Sequence, residues 1–133
     1  MRAVDTNVLA RYYLRDDSAQ ARLADRVLSS GDVFVPKTVM LELEWILRYV
    51  AEQPSGKVFD CLAHLSALPG VTIEDHDEVE AALRHARRGI DFADALHLEA
   101  SKACSEMLTF DDRRYARRAR RLGLKPSVKL LAS

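Results

Sequence analysis

The 133-residue sequence has little cysteine, no long apolar run and no excess of charge of either sign. The two cysteines, Cys61 and Cys104, fit the spacing of neither a metal knuckle nor a redox pair, so we expect buried thiols in a reducing compartment. No uncharged run approaches the length of a membrane helix, and the charged opening lacks a small-residue cleavage site. These absences favour a soluble protein of the cytoplasm.

Charge is balanced overall but unevenly distributed along the chain. The sequence carries 20 basic and 20 acidic residues, so its net charge does not indicate nucleic acid, a membrane or an acidic substrate. Residues 74–80 nevertheless include five acids without Lys or Arg, and residues 113–121 include six arginines. The pattern predicts a molecule with one basic and one acidic surface.

Short apolar strands alternate with helices. The length suits one domain, residues 1–133, with a single core. Strands are predicted within residues 1–5, 33–35, 71–73, 107–109 and 128–131. Helices are predicted at 8–14, 18–28 with Ser18 as N-cap, 36–50, 58–68, between 75 and 88, at 91–103, and from Asp111 to Gly123. This order predicts an α/β fold whose mainly parallel sheet is covered on both faces.

Two aspartates follow predicted strands directly. Asp5 comes after Ala3-Val4 and Asp111 after Leu108-Thr109-Phe110. In open α/β sheets the functional crevice lies outside the carboxyl ends of the strands. Asp is also a preferred turn residue and helix N-cap, which is the purely structural alternative.

Glu42 and Glu44 stand on one predicted helix but have different neighbours. Glu42 borders the apolar stripe of that helix, without a cationic residue three or four positions away. Glu44 has Arg48 at i+4 and is expected to form an ordinary surface ion pair. Glu42 is therefore the candidate for chemistry and Glu44 its structural control.

Asp94 resembles Glu42 in lacking a helical cationic neighbour. Asp91 can cap the helix in which Asp94 occupies the third position, and the helix dipole offers a rival explanation for Asp94 itself. His97, three residues after Asp94, has the spacing of a second metal ligand, but packing with a satisfied ring nitrogen is the expected role. His64, His76 and His85 show no partner pattern.

Clustered carboxylates require a neutralising cation. If the four acids Asp5, Glu42, Asp94 and Asp111 meet at one end of the sheet, they raise one another's pKa unless a cation is bound. Hard oxygen ligands suit Mg²⁺ or Mn²⁺. The chemistry that this predicts is phosphodiester hydrolysis by a metal-activated water, without a nucleophilic side chain.

Four motifs stand in an order that resembles the PIN-domain family, specifically the VapC-type toxins of toxin-antitoxin pairs. They are V-D-T-N-V at 4–8, L-E-L-E-W-I-L at 41–47, D-F-A-D-A-L-H-L at 91–98 and T-F-D at 109–111. The resemblance implies a three-layer α/β/α fold, Mg²⁺- or Mn²⁺-dependent RNA cleavage, homodimers and inhibition by a small cognate antitoxin.

The same resemblance implies roles for individual residues. It makes Asp5, Glu42, Asp94 and Asp111 the catalytic, metal-binding acids, although Asp112 could replace Asp111 in part. The residues expected to support these acids by hydrogen bonds are Thr6, Asn7, Asp91, Thr109 and Asp112.

A basic rim is needed to hold RNA beside metal-bound acids. The best candidates are Arg113, Arg114, Arg117 and Arg118, with a solvated helix face as the alternative. Helix-end stabilisation explains Arg84, Arg87 and Arg88 equally well. The aromatic residues Tyr12, Tyr13, Trp45 and Tyr49 could stack bases, but core or dimer packing is expected.

Two other classes of protein remain as alternatives. A metal-dependent phosphatase also places an acid after its first strand, but Asp5-Thr6-Asn7 lacks the second acid two residues on. A non-catalytic RNA- or antitoxin-binding module could retain the fold, although the presence of all four acids argues against it.

Overall fold

The computed structural model describes residues 1–132, which fall into two compact units that divide between His76 and Asp77. Each unit contains its own parallel strands and its own helices. Among residues 1–132, no helix combines the length and apolar character needed to cross a membrane.

The first unit is built on a three-stranded parallel sheet. Its strands are β1 (Arg2–Ala3), β2 (Val33–Val35) and β3 (Val71–Ile73), in the order β1-β2-β3. Ala3 is level with Phe34, and Phe34 with Thr72, so the three carboxyl ends lie at one edge. The apolar runs at 33–35 and 71–73 therefore form strands as predicted.

Four helices complete the first unit, and the bounds are α1 (Thr6–Leu14), α2 (Ser18–Ser29), α3 (Lys37–Trp45) and α4 (Ser55–Ala67). A π-helical turn, Ile46–Val50, extends α3. Asp17, rather than the predicted Ser18, caps α2 by accepting the Gln20 amide. Pro36, which precedes α3, has no side chain that can cap the helix. The amide of Lys37 at the start of α3 donates instead to the carboxylate of Glu74 beyond β3, at 2.8 Å.

The second unit has two parallel strands and three helices. The helices are α5 (His76–Arg87), which starts at the last residue of the first unit, α6 (Phe92–Ala100) and α7 (Arg117–Leu122). The strands β4 (Glu106–Thr109) and β5 (Ser127–Leu130) pair from Glu106 opposite Ser127 to Thr109 opposite Leu130. A π-helical turn, Asp112–Ala116, leads from β4 into α7, which ends at Gly123 in the left-handed region.

Some side chains depart from the burial that the sequence predicts. On the helix predicted at 36–50, where apolar residues recur at helical spacing, Leu43 and Leu47 are fully buried, but Val50 is 63% exposed. Cys104 is exposed and Cys61 only half-buried, so the expectation of two buried thiols is wrong. Helix α6 stops at Ala100, three residues before the predicted end, because Ser101 begins a run of turns.

Candidate functional site

In the second unit, the negative charge of Asp111 acts on the carboxylate of Asp94. Asp94 is half-buried in the first turn of α6, and its pKa is raised, first by loss of solvation and then by the negative charges of Asp91 and Asp111. His97 opposes this effect from the same helix. A carboxylate that is partly desolvated beside two others fits a divalent cation, which would relieve the repulsion.

Asp91 has the capping role that the sequence predicts. Its Oδ1 accepts the backbone N–H of Asp94 at 3.2 Å, at the start of α6. The cap places the side chain of Asp91 close enough for its charge to raise the pKa of Asp94. Asp91 therefore orients the helix turn that carries Asp94.

Asp111 is anchored from both sides at the carboxyl end of β4. Its amide donates to Thr109 Oγ1 at 3.0 Å, and its Oδ1 accepts the amide of Arg114 at 2.9 Å. The other carboxylate oxygen, Oδ2, is not used by this cap. Asp112 is instead paired with Arg117 at 2.8 Å, and Asp111 is the acid of this turn whose charge contributes to the raised pKa of Asp94.

Tyr115 connects the turn after β4 to α6. Its buried hydroxyl donates to the backbone carbonyl of Asp94 at 3.1 Å. Burial, and then the charge of Asp94, raise the pKa of Tyr115 to about 12. No motif in the sequence singles out this tyrosine, because its role depends on a contact across 21 residues.

In the first unit, Asp5 stands at the carboxyl end of β1. Its Oδ1 accepts the amide of Val8 at 3.3 Å and so caps α1. Thr6 is buried, whereas Asp5 and Asn7 are exposed. Asp5 thus has the structural capping role, which leaves its second carboxylate oxygen for a ligand.

The exposures of Glu42 and Glu44 are the opposite of those that the sequence suggests. Glu42 is exposed on α3, and within residues 1–132 its carboxylate makes no hydrogen bond or ion pair. Glu44 is buried, and its Oε1 accepts from Arg48 at 2.8 Å. The Glu44–Arg48 pair is predicted correctly, but its description as a surface pair is wrong. The reason is that Arg48 also donates to Ser55 and lies over the Phe59 ring, so α4 covers the pair.

The four arginines predicted to contact RNA fall into two groups. Arg117 is paired with Asp112, and Arg118 donates to the Gly89 carbonyl at 2.8 Å. Arg113 and Arg114 are exposed, and no ion pair joins either side chain to another residue of the described chain. Two of the four therefore have structural partners in the protein itself.

The start of α5 carries a group of possible cation ligands that the sequence analysis missed. Ligand atoms of His76, Asp77 and Glu80 lie within 4.8 Å of one another. The sequence signal that could have indicated this group is the spacing of His76 and Glu80, which lie one helical turn apart. The Nε2 of His76 also lies 3.4 Å from the Ser66 carbonyl. None of the four predicted acids belongs to this group.

The remaining histidines have partners or exposures that the sequence does not indicate, and two of the four aromatic residues lie outside the core. His97 is exposed rather than packed. His64 Nδ1 lies 2.9 Å from the Tyr13 hydroxyl, and His85 Nε2 lies 2.8 Å from the buried Glu99. Trp45 and Tyr49 are more than half exposed and contact each other, so neither packs in the core.

Comparison with known protein families matches residues 2–121 to the PIN domain. The chain therefore belongs to the PIN-domain family, whose members are in general divalent-metal-dependent nucleases. The match, together with the parallel strands and alternating helices, confirms the predicted α/β/α PIN-like fold class. No curated protein matches the chain at a significant level.

Proposed function

We propose that this PIN-domain protein is an Mg²⁺- or Mn²⁺-dependent endoribonuclease, and that it is the toxin of a VapBC-type toxin-antitoxin pair. The observation that carries the nuclease proposal is the match of residues 2–121 to the PIN domain, and it is supported by Asp94, a half-buried acid that burial and the charges of Asp91 and Asp111 disfavour as an anion. A bound cation would stabilise the anionic form of such a carboxylate, which gives a half-buried acid at this position a physical reason.

The proposed metal ligands are Asp5, Glu42, Asp94 and Asp111, the four acids that the resemblance of the motifs to PIN-domain sequences implies. Asp5 and Asp111 each use one oxygen to cap a helix, and Glu42 has no competing partner in the described chain. The bound cation would supply an activated water and stabilise the charge that develops on the phosphate.

The chain's own residues would orient these acids and hold the substrate. Thr109 positions Asp111 and Asp91 positions Asp94, while Thr6 and Asn7 directly follow Asp5. Arg113 and Arg114, with unpaired side chains in the described chain, would contact RNA phosphates near Asp111. Arg117 would also contact RNA phosphates after its ion pair with Asp112 breaks, and Arg118 after its hydrogen bond to the Gly89 carbonyl breaks.

The toxin assignment rests on the resemblance of the four motifs to VapC-type sequences, and it implies a homodimer, a small antitoxin partner and a cytoplasmic location.

Cleavage of structured RNA with Mg²⁺ or Mn²⁺, inhibited by EDTA, tests the enzymatic part. Asp5→Asn and Asp94→Asn should fold and lose cleavage. Equal cleavage by these variants and the wild type would refute the proposed active site.

A further inference from the structure

A small basic pocket lies at the other end of the β4–β5 pair from Asp111. It encloses about 180 Å³ and is lined by Arg120, Gly123, Leu124, Lys125, Ser127 and Val128. Glu106 and Ser127 form the first register pair of the two strands, whereas Asp111 follows their last pair. The strand rise separates the two ends by roughly 10 to 15 Å.

Local backbone geometry assembles this pocket. Gly123 ends α7 with φ +68°, and its amide donates to the Arg120 carbonyl at 3.1 Å. This reversal directs the chain from Arg120 back towards Lys125 and Ser127. Leu124 and Val128 are buried and form an apolar floor, which strengthens electrostatic attraction above it.

The charges of the pocket are not neutralised by the protein. Arg120 and Lys125 are both exposed, and neither makes an ion pair with any other residue of the described chain. The acid nearest in register is Glu106, opposite Ser127. The positive charges of Arg120 and Lys125 and the hydroxyl of Ser127 outweigh the single acid Glu106, which favours an anionic ligand. The pocket is also smaller than pockets that hold drug-sized molecules, so the ligand group is small.

We infer that the pocket formed by Arg120, Lys125 and Ser127 binds a phosphodiester of the RNA strand at a distance from the cleaved bond. The inference rests on the proposed ribonuclease function and adds a second contact point for the same substrate. Arginine and lysine would hold the phosphate oxygens, and the Ser127 hydroxyl would donate a hydrogen bond. Such a contact selects for RNA long enough to reach it.

Steady-state cleavage of a dinucleotide and of an RNA of roughly 12 nucleotides tests the inference. For the longer RNA, Arg120→Ala and Lys125→Ala should raise KM roughly three- to tenfold and leave kcat unchanged, whereas dinucleotide cleavage should not change. Arg22→Ala and Lys57→Ala remove the same charges from exposed positions of the first unit and should have no comparable effect. Glu106→Gln should lower KM for the longer RNA.

Binding measurements in EDTA provide an independent readout. In fluorescence anisotropy, each pocket variant should reduce the salt dependence of the affinity for the longer RNA by about 0.7 in slope. Inactivity of the wild type would refute the proposed function, whereas an active wild type with pocket variants equal to Arg22→Ala would refute the pocket alone. Amide shifts at Lys125 and Ser127 with inorganic phosphate, without any effect of the variants on RNA, would assign the pocket to free phosphate and overturn the inference.

Discussion

The Tyr115 hydroxyl donates a hydrogen bond to the backbone carbonyl of Asp94, at 3.1 Å. Through it, the turn that begins at Asp111 is fastened to the first turn of α6. Asp111 and Asp94 are both proposed ligands, and the pKa of Asp94 is raised first by burial and then by the charges of Asp91 and Asp111. Tyr115 is therefore a positioning residue for the proposed metal site, and its loss should affect both stability and cleavage.

Tyr115→Phe should lower the free energy of unfolding by about 1 kcal/mol, the usual contribution of one hydrogen bond. It should also reduce kcat for RNA cleavage, because the relative position of Asp94 and Asp111 becomes less restricted. Urea unfolding and steady-state cleavage measure the two effects. Tyr49→Phe, at an exposed tyrosine, is the matched control and should change neither quantity. Full activity in Tyr115→Phe would contradict the positioning role.

Alkaline pH should destabilise the protein through the same tyrosine. Folding raises the pKa of Tyr115 from 10.0 to about 12, so the protonated phenol stabilises the folded state. This contribution is complete below pH 10 and is lost as the pH rises from about 10 to about 12. Ultraviolet titration and urea unfolding across this range should detect one late-titrating phenol fewer in Tyr115→Phe than in the wild type. The same pH dependence in both proteins would contradict the prediction.

Glu42 and Glu44 should separate chemistry from stability on one helix. Glu42→Gln should change stability by less than about 0.5 kcal/mol, because the side chain is exposed, and should abolish cleavage. Glu44→Ala should destabilise the protein by about 3 kcal/mol, because it leaves the largely buried Arg48 without its carboxylate. The folded fraction of Glu44→Ala should retain its kcat. Thermal melts and cleavage rates corrected for the folded fraction test this pair, and loss of chemistry only in Glu44→Ala would reverse the assignment.

Asp94→Asn should retain or increase stability in EDTA. The substitution removes the charge whose burial and repulsion by Asp91 and Asp111 disfavour the folded anion. Addition of Mg²⁺ should raise the Tm of the wild type but not that of Asp94→Asn, because a ligand that binds the folded state stabilises it. Melting curves with and without Mg²⁺ measure both effects. A large fall in Tm in EDTA would indicate that Asp94 serves packing instead.

The sequence predicts most of the elements because their signals are local. The apolar runs at 33–35 and 71–73 are bounded by turn residues, and both become strands. The capping role of Asp91 and the helix end at Gly123 follow from residue preferences within one turn. Helix boundaries are less accurate, as at α2, where Asp17 rather than Ser18 makes the cap.

The features that the sequence does not predict depend on contacts between distant residues. Burial of Glu44 depends on Ser55 and Phe59 of α4, which enclose Arg48. The bond from Tyr115 to Asp94 joins two elements, and the basic pocket requires the chain to reverse at Gly123. Composition and periodicity describe faces of single helices and strands, whereas these features arise from packing between them.

Electron paramagnetic resonance of Mn²⁺ binding to the wild type and to single variants tests whether the four acids hold one cation. If Asp5, Glu42, Asp94 and Asp111 share one cation, then Asp5→Asn, Glu42→Gln, Asp94→Asn and Asp111→Asn should each weaken Mn²⁺ binding at least roughly tenfold. His76→Ala should bind as the wild type does. Wild-type affinity in Asp5→Asn and Glu42→Gln, with binding lost only in His76→Ala, would place the cation at the start of α5 and contradict the account.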